Sequence, residues 1–251
     1  MTGRGVLVTG ASRGIGRAVA TAFAALGDRV AVHHRDSAQL ADETRHGLDG
    51  VGHLVVQAEL SDPEAVRRMV DDAITGLGHI DVLVNNAATY GEHRIADVSY
   101  EEWQAAWHQV LGVNLVGSAN VTYCVVHHML AGQTRGRIVN ISSRGAYRGE
   151  PRVPAYGASK AGINSFTGSM ARALAPHGIA VTAVAPGYVA TDMANEALKE
   201  PRGAEIRAQS PFDRVARPEE VAAAVVYLAS PDAEFASGTV IDVNGASYLR
   251  G

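Results

Sequence analysis

A tyrosine and a lysine four positions apart are the first residues of this sequence that could do chemistry together. Tyr156 and Lys160 lie in the segment Pro-Ala-Tyr-Gly-Ala-Ser-Lys-Ala-Gly, and Lys160 is one of only two lysines in 251 residues. On a helix, this spacing stacks both side chains on one face. A nearby ammonium favours the phenolate and lowers the pKa of a tyrosine from about 10, which suits a general acid or base. An amphipathic helix with an accidental pair is the alternative that these two residues alone leave open.

A glycine-rich turn near the N-terminus is the second feature. Residues 5–9 form a short apolar run of strand character, and an alanine-rich helical pattern extends from Arg17 to Leu26. Between them the chain reads Gly10-Ala11-Ser12-Arg13-Gly14-Ile15-Gly16. Glycines allow a tight turn and close backbone approach, and the first N–H groups of a helix can bind a pyrophosphate. The pattern predicts a nucleotide-binding turn, although its spacing is G-x-x-x-G-x-G.

Strand-like and helical segments alternate along the whole chain. We predict strands at 5–9, 29–33, 53–57, 80–84, 136–141, 179–184 and 239–243, and helices at 14–26, 37–47, 62–76, 100–130, 155–176 and 218–229. Such alternation predicts an α/β fold with a doubly wound, seven-stranded parallel sheet and helices on both faces. No linker divides the chain, so residues 1–251 are expected to form a single domain. Ligands should bind beyond the carboxyl ends of the strands, where Gly10, Asn86, Ser143 and Pro186 fall.

Composition narrows the classes of function. A net charge of −4 argues against nucleic-acid binding. We find no 18-residue apolar stretch that would span a membrane, and the first apolar run is too short for a signal peptide, so a cytoplasmic location is expected. The single cysteine, Cys124, excludes an internal disulfide. Adjacent His127 and His128 diverge on a helix without a third ligand at suitable spacing, so no metal site is predicted.

Six motifs together resemble the short-chain dehydrogenase/reductase family, in the order that the family has them. They are residues 9–16, residues 81–87, Val113-Asn114-Leu115, Ile141-Ser142-Ser143, the pair Tyr156 and Lys160, and Pro186-Gly187. The resemblance covers nearly the whole chain and implies a Rossmann fold and an NAD(P)-dependent oxidoreductase. Within the family the sequence is most similar to bacterial 3-oxoacyl-(acyl carrier protein) reductases and related ketoreductases.

The resemblance implies a catalytic tetrad of Asn114, Ser143, Tyr156 and Lys160. Ser143 lies 13 residues before Tyr156, which matches the family better than Ser142 does. Tyr156 would donate a proton to the carbonyl oxygen, and Ser143 would hydrogen-bond the same oxygen. Lys160 would bind the nicotinamide ribose and lower the pKa of Tyr156. Asn114 would hold a water that links Lys160 to solvent, whereas an exposed helix asparagine is the alternative.

The resemblance also implies a cofactor site. Its residues would be Gly10, Ser12, Arg13, Gly14, Ile15, Gly16, His34, Arg35, Glu59, Leu60, Asn86, Ala87, Tyr156, Lys160, Pro186, Gly187, Val189 and Thr191. NAD-selective relatives carry an aspartate where this chain has His34. Arg35 follows it and Arg13 lies in the glycine turn, and two guanidiniums suit a 2′-phosphate, so NADP(H) is favoured over NAD(H). Alternatively, both arginines point to solvent and Asp36 neutralises one of them.

The substrate is less constrained by the sequence. Family resemblance makes 188–216 the mobile substrate loop and predicts a pocket formed by Ser143, Arg144, Tyr147, Tyr156, Tyr188 and Met193. Relatives that act on acyl carrier protein use two arginines near the mouth of the site. Arg135 could be one of them, but the second position falls on His177, so a carrier-protein partner is possible without being established. The family also implies a homotetramer built on the helices 100–130 and 155–176 and the C-terminal segment.

Two positions depart from the family's glycines. Ala88 replaces a glycine after Asn85-Asn86-Ala87, and Ala246 follows Asn244-Gly245 where a second glycine is commoner. An alanine costs stability wherever the backbone needs a positive φ.

The leading hypothesis is an NADPH-dependent reductase that converts a carbonyl, of the 3-oxoacyl-thioester type or related, to a secondary alcohol. An alcohol, sugar or steroid dehydrogenase that runs oxidatively is the second. A catalytically silent cofactor-sensing protein is the third, and the complete tetrad argues against it.

Overall fold

The computed structural model describes residues 3–191 and 203–250. Its strands are β1 (Gly5–Val8), β2 (Arg29–His34), β3 (Leu54–Gln57), β4 (Val82–Asn85), β5 (Arg137–Ile141), β6 (Ala180–Pro186) and β7 (Val240–Val243). Its α-helices are α1 (Gly14–Ala25), α2 (Ala38–His46), α3 (Pro63–Leu77), α4 (Tyr100–Leu111), α5 (Ser118–Ala131), α6 (Gly145–Arg148), α7 (Pro154–Leu174), α8 (Gly203–Ala208) and α9 (Pro218–Leu228). Short 3₁₀ turns follow at Ala175–His177 and Pro231–Ala236.

The seven strands form one parallel sheet in the order β3-β2-β1-β4-β5-β6-β7. The order reverses between β1 and β4, and a cleft at the carboxyl ends of the strands follows from such a reversal. The predicted fold class is therefore confirmed, and each predicted strand lies within two residues of its observed bounds.

Each face of the sheet carries its own hydrophobic core, because successive side chains of a strand point to opposite faces. Val6 and Val8 of β1 pack with α1 and α9, whereas Leu7 packs with α3, α5 and α7. All three side chains are fully buried. Burial on both faces explains why these strands read as continuous runs of valine, leucine and alanine rather than as alternating patterns.

Two helix starts show how local sequence sets the elements. The Asp62 carboxylate accepts hydrogen bonds from the backbone N–H groups of Glu64 and Ala65, at 2.9 and 3.2 Å, and Pro63 occupies the first turn of α3. At α9, Pro218 again stands in the first turn, and the Glu220 carboxylate accepts a hydrogen bond from the backbone N–H of Arg217 at 2.7 Å. Both helices begin within one residue of the predicted ranges 62–76 and 218–229.

The predicted helix 100–130 is interrupted. Gly112–Gly117, between α4 and α5, winds as a π-helix. Such wide turns are rare and often lie at functional sites. Asn114 stands in the middle of this one.

One helical stretch, Tyr100–Ala131, is long and apolar enough to cross a membrane, judged by length and composition alone. The expectation that no such stretch exists is therefore wrong. Half of its most apolar part is buried inside the fold, where α4 packs on α7 and α5 packs on α3.

Candidate active site

A cleft of about 680 Å³ opens at the carboxyl ends of the strands. Its walls come from the loops after β1 to β6 and from α7. The cleft brings together all the residues that the sequence assigned to the cofactor: Gly10, Ser12, Arg13, Gly14, Ile15, Gly16, His34, Arg35, Glu59, Leu60, Asn86, Ala87, Tyr156, Lys160, Pro186, Gly187, Val189 and Thr191.

The glycine turn after β1 has a conformation that only glycine adopts without strain. Gly10 and Gly14 have φ values of +64° and +57°. At Gly16 a Cβ atom would stand 2.3 Å from the carbonyl oxygen of Gly10, so any side chain would collide with backbone. The turn leads into α1, whose first residues, Gly14 and Ile15, line the cleft, and the first N–H groups of a helix can bind an anion.

Thr9 and Asn86 join this turn to the loop after β4. The Thr9 hydroxyl accepts hydrogen bonds from the backbone N–H groups of Asn86 and Ala87, at 2.9 and 3.0 Å. The Asn86 amide donates to the carbonyl oxygens of Thr9 and Gly10, at 2.8 and 3.0 Å. Asn86 is therefore a support for the floor of the cleft.

His33 is a support that sequence reasoning missed. Its Nδ1 accepts a hydrogen bond from the backbone N–H of Gly10 at 2.9 Å, and its Nε2 donates to the carbonyl oxygen of Ala58 at 3.1 Å. Burial lowers the pKa of this imidazole to about 4, so it is neutral at physiological pH. The ring bridges the glycine turn to the end of β3. The only signal in the sequence was that His33 directly precedes His34, which the sequence analysis assigned to the cofactor site.

The end of the cleft beside β2 contains the two arginines that the sequence assigned to a 2′-phosphate. The Arg35 guanidinium lies 2.9 Å from the Asp36 carboxylate and 3.8 Å from that of Glu59. The hydrogen bond from Arg35 lowers the pKa of Asp36. Arg13 is exposed at the start of α1. The neutralisation of Arg35 by Asp36, left open by the sequence, is thus present.

The other end of the cleft contains the phenol of Tyr156. Part of the tyrosine faces the cleft, but the hydroxyl lies deep enough that burial raises its pKa to about 12, against the lowering effect of a hydrogen bond with Ser143. The Ser143 hydroxyl also accepts a hydrogen bond from the backbone N–H of Gly145 at 3.0 Å. A neutral phenol and a serine hydroxyl therefore meet at one point.

Lys160 is buried beneath Tyr156. Its Nζ donates a hydrogen bond to the carbonyl oxygen of Ile141 at 2.7 Å and lies 5.7 Å from the centre of the Tyr156 ring. Burial lowers the pKa of this amine to about 8. In the protein alone, burial raises the pKa of Tyr156, so the lowering expected from Lys160 is absent.

Asn114 is buried at the π-helical turn rather than exposed. Its Oδ1 accepts a hydrogen bond from the backbone N–H of Thr89 at 2.7 Å, and its Nδ2 donates to the Thr89 carbonyl and the Ser159 hydroxyl, at 3.0 and 3.2 Å. Both amide hydrogens are therefore used within the protein. The amide joins the loop after β4 to α7, one residue before Lys160, while its role in holding a water stays a prediction.

His93 supports the start of the helix that contains Tyr156. Its Nε2 accepts a hydrogen bond from the backbone N–H of Ala155 at 3.1 Å, while Nδ1 donates to the Gly91 carbonyl at 2.8 Å. Nearby, the ring of Tyr90 meets the ring of Tyr156 edge-on, with centroids 5.6 Å apart. Sequence reasoning missed His93 and Tyr90, because neither belongs to a motif and both act through the tertiary contact of a loop with α7.

Known proteins match this chain over almost its whole length. A family model described as enoyl-(acyl carrier protein) reductase matches residues 10–246. A 3-oxoacyl-[acyl-carrier-protein] reductase of Synechocystis is 38% identical, over 99% of this chain and 98% of its own length. The chain belongs to the short-chain dehydrogenase/reductase family. A reductase of the same name from Staphylococcus aureus is 36% identical, over 98% of each chain.

A solved member of this family has nearly the same fold. The crystal structure of a short-chain dehydrogenase from Burkholderia cenocepacia in complex with NADP matches with a TM-score of 0.88 and 31% identity, and the match covers 98% of each chain. Family membership makes this chain an oxidoreductase.

The cleft fits the nicotinamide dinucleotide that this family uses. A Cβ atom at Gly14 would stand 3.2 Å from the Thr191 side chain, so the narrow gap between them depends on the missing side chain. The buried Nδ1 of His34 lacks a hydrogen-bond partner among the described residues. The glycine turn, the start of α1 and this free polar atom are features that a phosphate and a ribose would satisfy.

The substrate end agrees only partly with the expected pocket. Ser143, Arg144, Tyr156 and Tyr188 line the cleft. Tyr147 is not among the described residues that line it, because its hydroxyl accepts a hydrogen bond from Arg250 at 2.8 Å near the C-terminus. Met193 lies outside the described residues.

Acidic residues at this end were not anticipated. Glu92 and Glu150 both line the cleft. Glu150 approaches the backbone so closely that a Cβ atom at Gly145 would stand 2.8 Å from its Oε1. Among the described residues, no group of three histidines, cysteines, aspartates or glutamates could hold a metal ion.

Proposed function

We propose that the protein reduces a carbonyl to a secondary alcohol with NADPH, with Tyr156 as the general acid. The observation that supports this most directly is the meeting of Tyr156, Ser143 and Lys160 at one end of a cleft whose other end is the glycine turn. Reduction needs a hydride at carbon and a proton at oxygen, and a buried neutral phenol is suited to the second task.

Ser143, Tyr156 and Lys160 have different roles in this reaction. Bound NADPH supplies the hydride. The Ser143 hydroxyl donates a hydrogen bond to the carbonyl oxygen and orients it, and Tyr156 transfers its phenolic proton to the same oxygen. The Lys160 ammonium stabilises the phenolate that then remains on Tyr156. Asn114 and His93 are positioning residues, because they act on Thr89, Ser159 and Ala155 rather than on the substrate.

The preference for NADP(H) over NAD(H) rests on charge. Arg13 and Arg35 flank the end of the cleft where an acidic residue would repel a 2′-phosphate, and His34 stands at that position. The NADP complex of the Burkholderia relative supports the same choice. The carboxylates of Asp36 and Glu59 moderate it, because they already attract Arg35.

A 3-oxoacyl thioester is the first substrate class to consider, because the curated relatives are named for that reaction. Whether an acyl carrier protein delivers it is a separate matter. Arg135, the arginine available for carrier contact, pairs with Glu234 at 2.8 Å, and the second position is His177. These two facts favour a small thioester over a carrier-bound one.

An alcohol or sugar dehydrogenase that runs oxidatively is the second candidate. The observation that favours it is the polar substrate end, where Glu92, Glu150 and Arg144 face the cleft. Hydroxyl-rich substrates form hydrogen bonds with such groups, whereas an acyl chain does not.

We further propose a cytoplasmic homotetramer that binds neither nucleic acid nor membrane. Apolar side chains exposed on the helical stretch Tyr100–Ala131, such as Val116 and Tyr123, support assembly through that face. Sedimentation velocity of the purified protein tests the tetramer.

The test of function follows NADPH absorbance with acetoacetyl-coenzyme A as the ketone and NADH in a parallel assay. The proposal is supported if NADPH is consumed with a kcat/KM at least roughly tenfold higher than that for NADH. Equal rates with the two cofactors contradict the cofactor choice. Oxidation of sugars or hydroxy acids with NADP⁺, without any thioester reduction, favours the second candidate.

A further inference from the structure

A buried arginine stands at the substrate end of the cleft. Arg144 follows Ser143 directly, lines the cleft and is only 4% exposed. Its backbone N–H donates to the Pro186 carbonyl at 2.9 Å, and its guanidinium lies over the Tyr188 ring at 4.9 Å. Both the backbone and the side chain of Arg144 are therefore held in place.

The hydrogen-bond partner of this guanidinium is neutral. Nη2 of Arg144 donates to Oε1 of Gln209 at 2.6 Å, and Nη1 of Arg148 donates to the same oxygen at 3.2 Å. Among the described residues, no carboxylate lies within 4.0 Å of the Arg144 guanidinium. Glu150 attracts it from farther away, and its carboxylate lies 3.9 Å from Arg148. Two cations therefore converge on an amide that cancels neither charge.

Burial of a charge without a close counter-ion is costly, and a bound anion would offset that cost at Arg144. Burial and the neighbouring Arg148 lower the pKa of Arg144, which expresses the same cost. Arg144 also lines a second cavity of about 300 Å³, to which Tyr188 contributes as well.

We propose that Arg144, held by Gln209 and Tyr188, binds an anionic group of the substrate, so that the substrate is a carbonyl compound with a carboxylate or phosphate near the reacting carbon. The inference rests on the proposed function, because it concerns the same site, and it puts a keto acid or a ketone phosphate in place of the neutral thioester as the substrate. Ser143 and Arg144 are consecutive residues and both line the cleft, so the proposal places the anionic group beside the carbonyl that Ser143 would bind.

Binding to the protein saturated with NADP⁺ tests the proposal without turnover. Calorimetry compares acetoacetate with methyl acetoacetate, and hydroxyacetone phosphate with hydroxyacetone. A charge-assisted hydrogen bond contributes enough that each favoured anion should bind roughly tenfold or more tightly than its neutral partner. The pair with the larger ratio identifies carboxylate or phosphate. Equal affinities within both pairs, or no binding of either anion, overturn the proposal.

Three variants assign the effect. Arg144→Gln removes the charge, and Gln209→Glu leaves the arginine in place but supplies an internal carboxylate; both should abolish the anion preference. Arg68→Gln, the same charge change on the exposed face of α3, should retain it. NADPH affinity checks the fold of each variant, and if Arg144→Gln fails this check, Gln209→Glu decides. An anion preference that survives Gln209→Glu overturns the proposal.

Two outcomes distinguish the anion site from the proposed reductase activity. An Arg144-dependent anion preference without reduction of any ketone contradicts the proposed reductase and leaves the anion site standing. Reduction of acid and ester with equal kcat/KM supports the reductase and overturns the anion site.

Discussion

The ammonium of Lys160 donates a hydrogen bond to the carbonyl oxygen of Ile141 at 2.7 Å, at the last residue of β5. A peptide carbonyl carries no net charge, and burial therefore lowers the pKa of the amine to about 8. The contact ties α7 to the sheet edge from which Ser143 emerges. It also leaves the ammonium close enough to Tyr156 to stabilise a phenolate there.

The pH dependence of reduction follows from this amine. Below pH 8 Lys160 is protonated and stabilises the phenolate left after proton transfer, whereas above pH 8 it loses that charge. We expect kcat/KM for reduction, measured from pH 6 to 10 at saturating NADPH, to be level and then to fall by about tenfold per pH unit above about pH 8. A profile that stays level to pH 9.5 would contradict this role.

Removal of the phenolic hydroxyl should stop the chemistry and spare the cofactor. Tyr156→Phe keeps the ring and its edge-on contact with Tyr90 but has no proton to donate. We expect kcat to fall by roughly a thousandfold, with an NADPH dissociation constant within about twofold of the unaltered protein, measured by fluorescence titration. Substantial residual turnover would show that another group supplies the proton.

His33 should couple cofactor binding to the stability of the glycine turn. Its imidazole accepts a hydrogen bond from the Gly10 N–H and donates one to the Ala58 carbonyl. The shorter side chain of His33→Asn can retain only the bond to Gly10. A lost hydrogen bond costs about 1 kcal/mol, so NADPH should bind roughly three- to tenfold more weakly. An unchanged dissociation constant would contradict the supporting role.

The same histidine predicts a loss of stability in acid. Its pKa is about 4 in the folded protein and about 6.5 for an unburied histidine, so the unfolded chain binds more protons between these pH values. Stability should be complete above pH 6.5 and fall as pH drops toward 4, by up to about 1.4 kcal/mol per pH unit. Urea unfolding at several pH values measures this slope, which should be shallower in His33→Asn.

Arg35 should discriminate between the two cofactors. Arg35→Ala is expected to weaken NADPH binding roughly three- to tenfold and to leave NADH binding unchanged, because only NADPH has the 2′-phosphate. Asp36→Asn removes a carboxylate that competes for Arg35 at 2.9 Å and should strengthen NADPH binding. Dissociation constants from fluorescence titration give both comparisons, and parallel changes for NADH would contradict the assignment.

Ala246 should carry backbone strain that Ala88 does not. Ala246 has a φ of +56°, whereas Ala88 is absent from the positive-φ residues of the described chain. Ala246→Gly should therefore raise the free energy of unfolding by about 1 kcal/mol, measured by urea denaturation. Ala88→Gly serves as the comparison and should stabilise nothing.

Much of the fold was predictable from local patterns. Short runs rich in valine, isoleucine, leucine and alanine between helical segments predicted all seven strands, since a strand covered on both faces needs apolar residues at most positions. The cleft residues were predictable for a related reason. Parallel strands end at the same edge, so residues that follow β1, β4, β5 and β6 must meet there.

The substrate end could not be predicted in this way. Arg144 and Gln209 are 65 residues apart, and no local pattern indicates that they pair. Tyr147 was assigned to the pocket by its place in the sequence, but Arg250, 103 residues away, binds its hydroxyl elsewhere.

The amino-acid sequence alone established which chemical groups this protein has and at which edge of the sheet they gather, because side-chain type and strand period are local properties. The tertiary structure decided their protonation. Burial raises the pKa of Tyr156 and lowers those of Lys160 and His33, and burial depends on every element packed around a group. A spacing of four residues predicted that tyrosine and lysine would meet, while the surrounding core determined that they meet as a neutral phenol and an amine that titrates near pH 8.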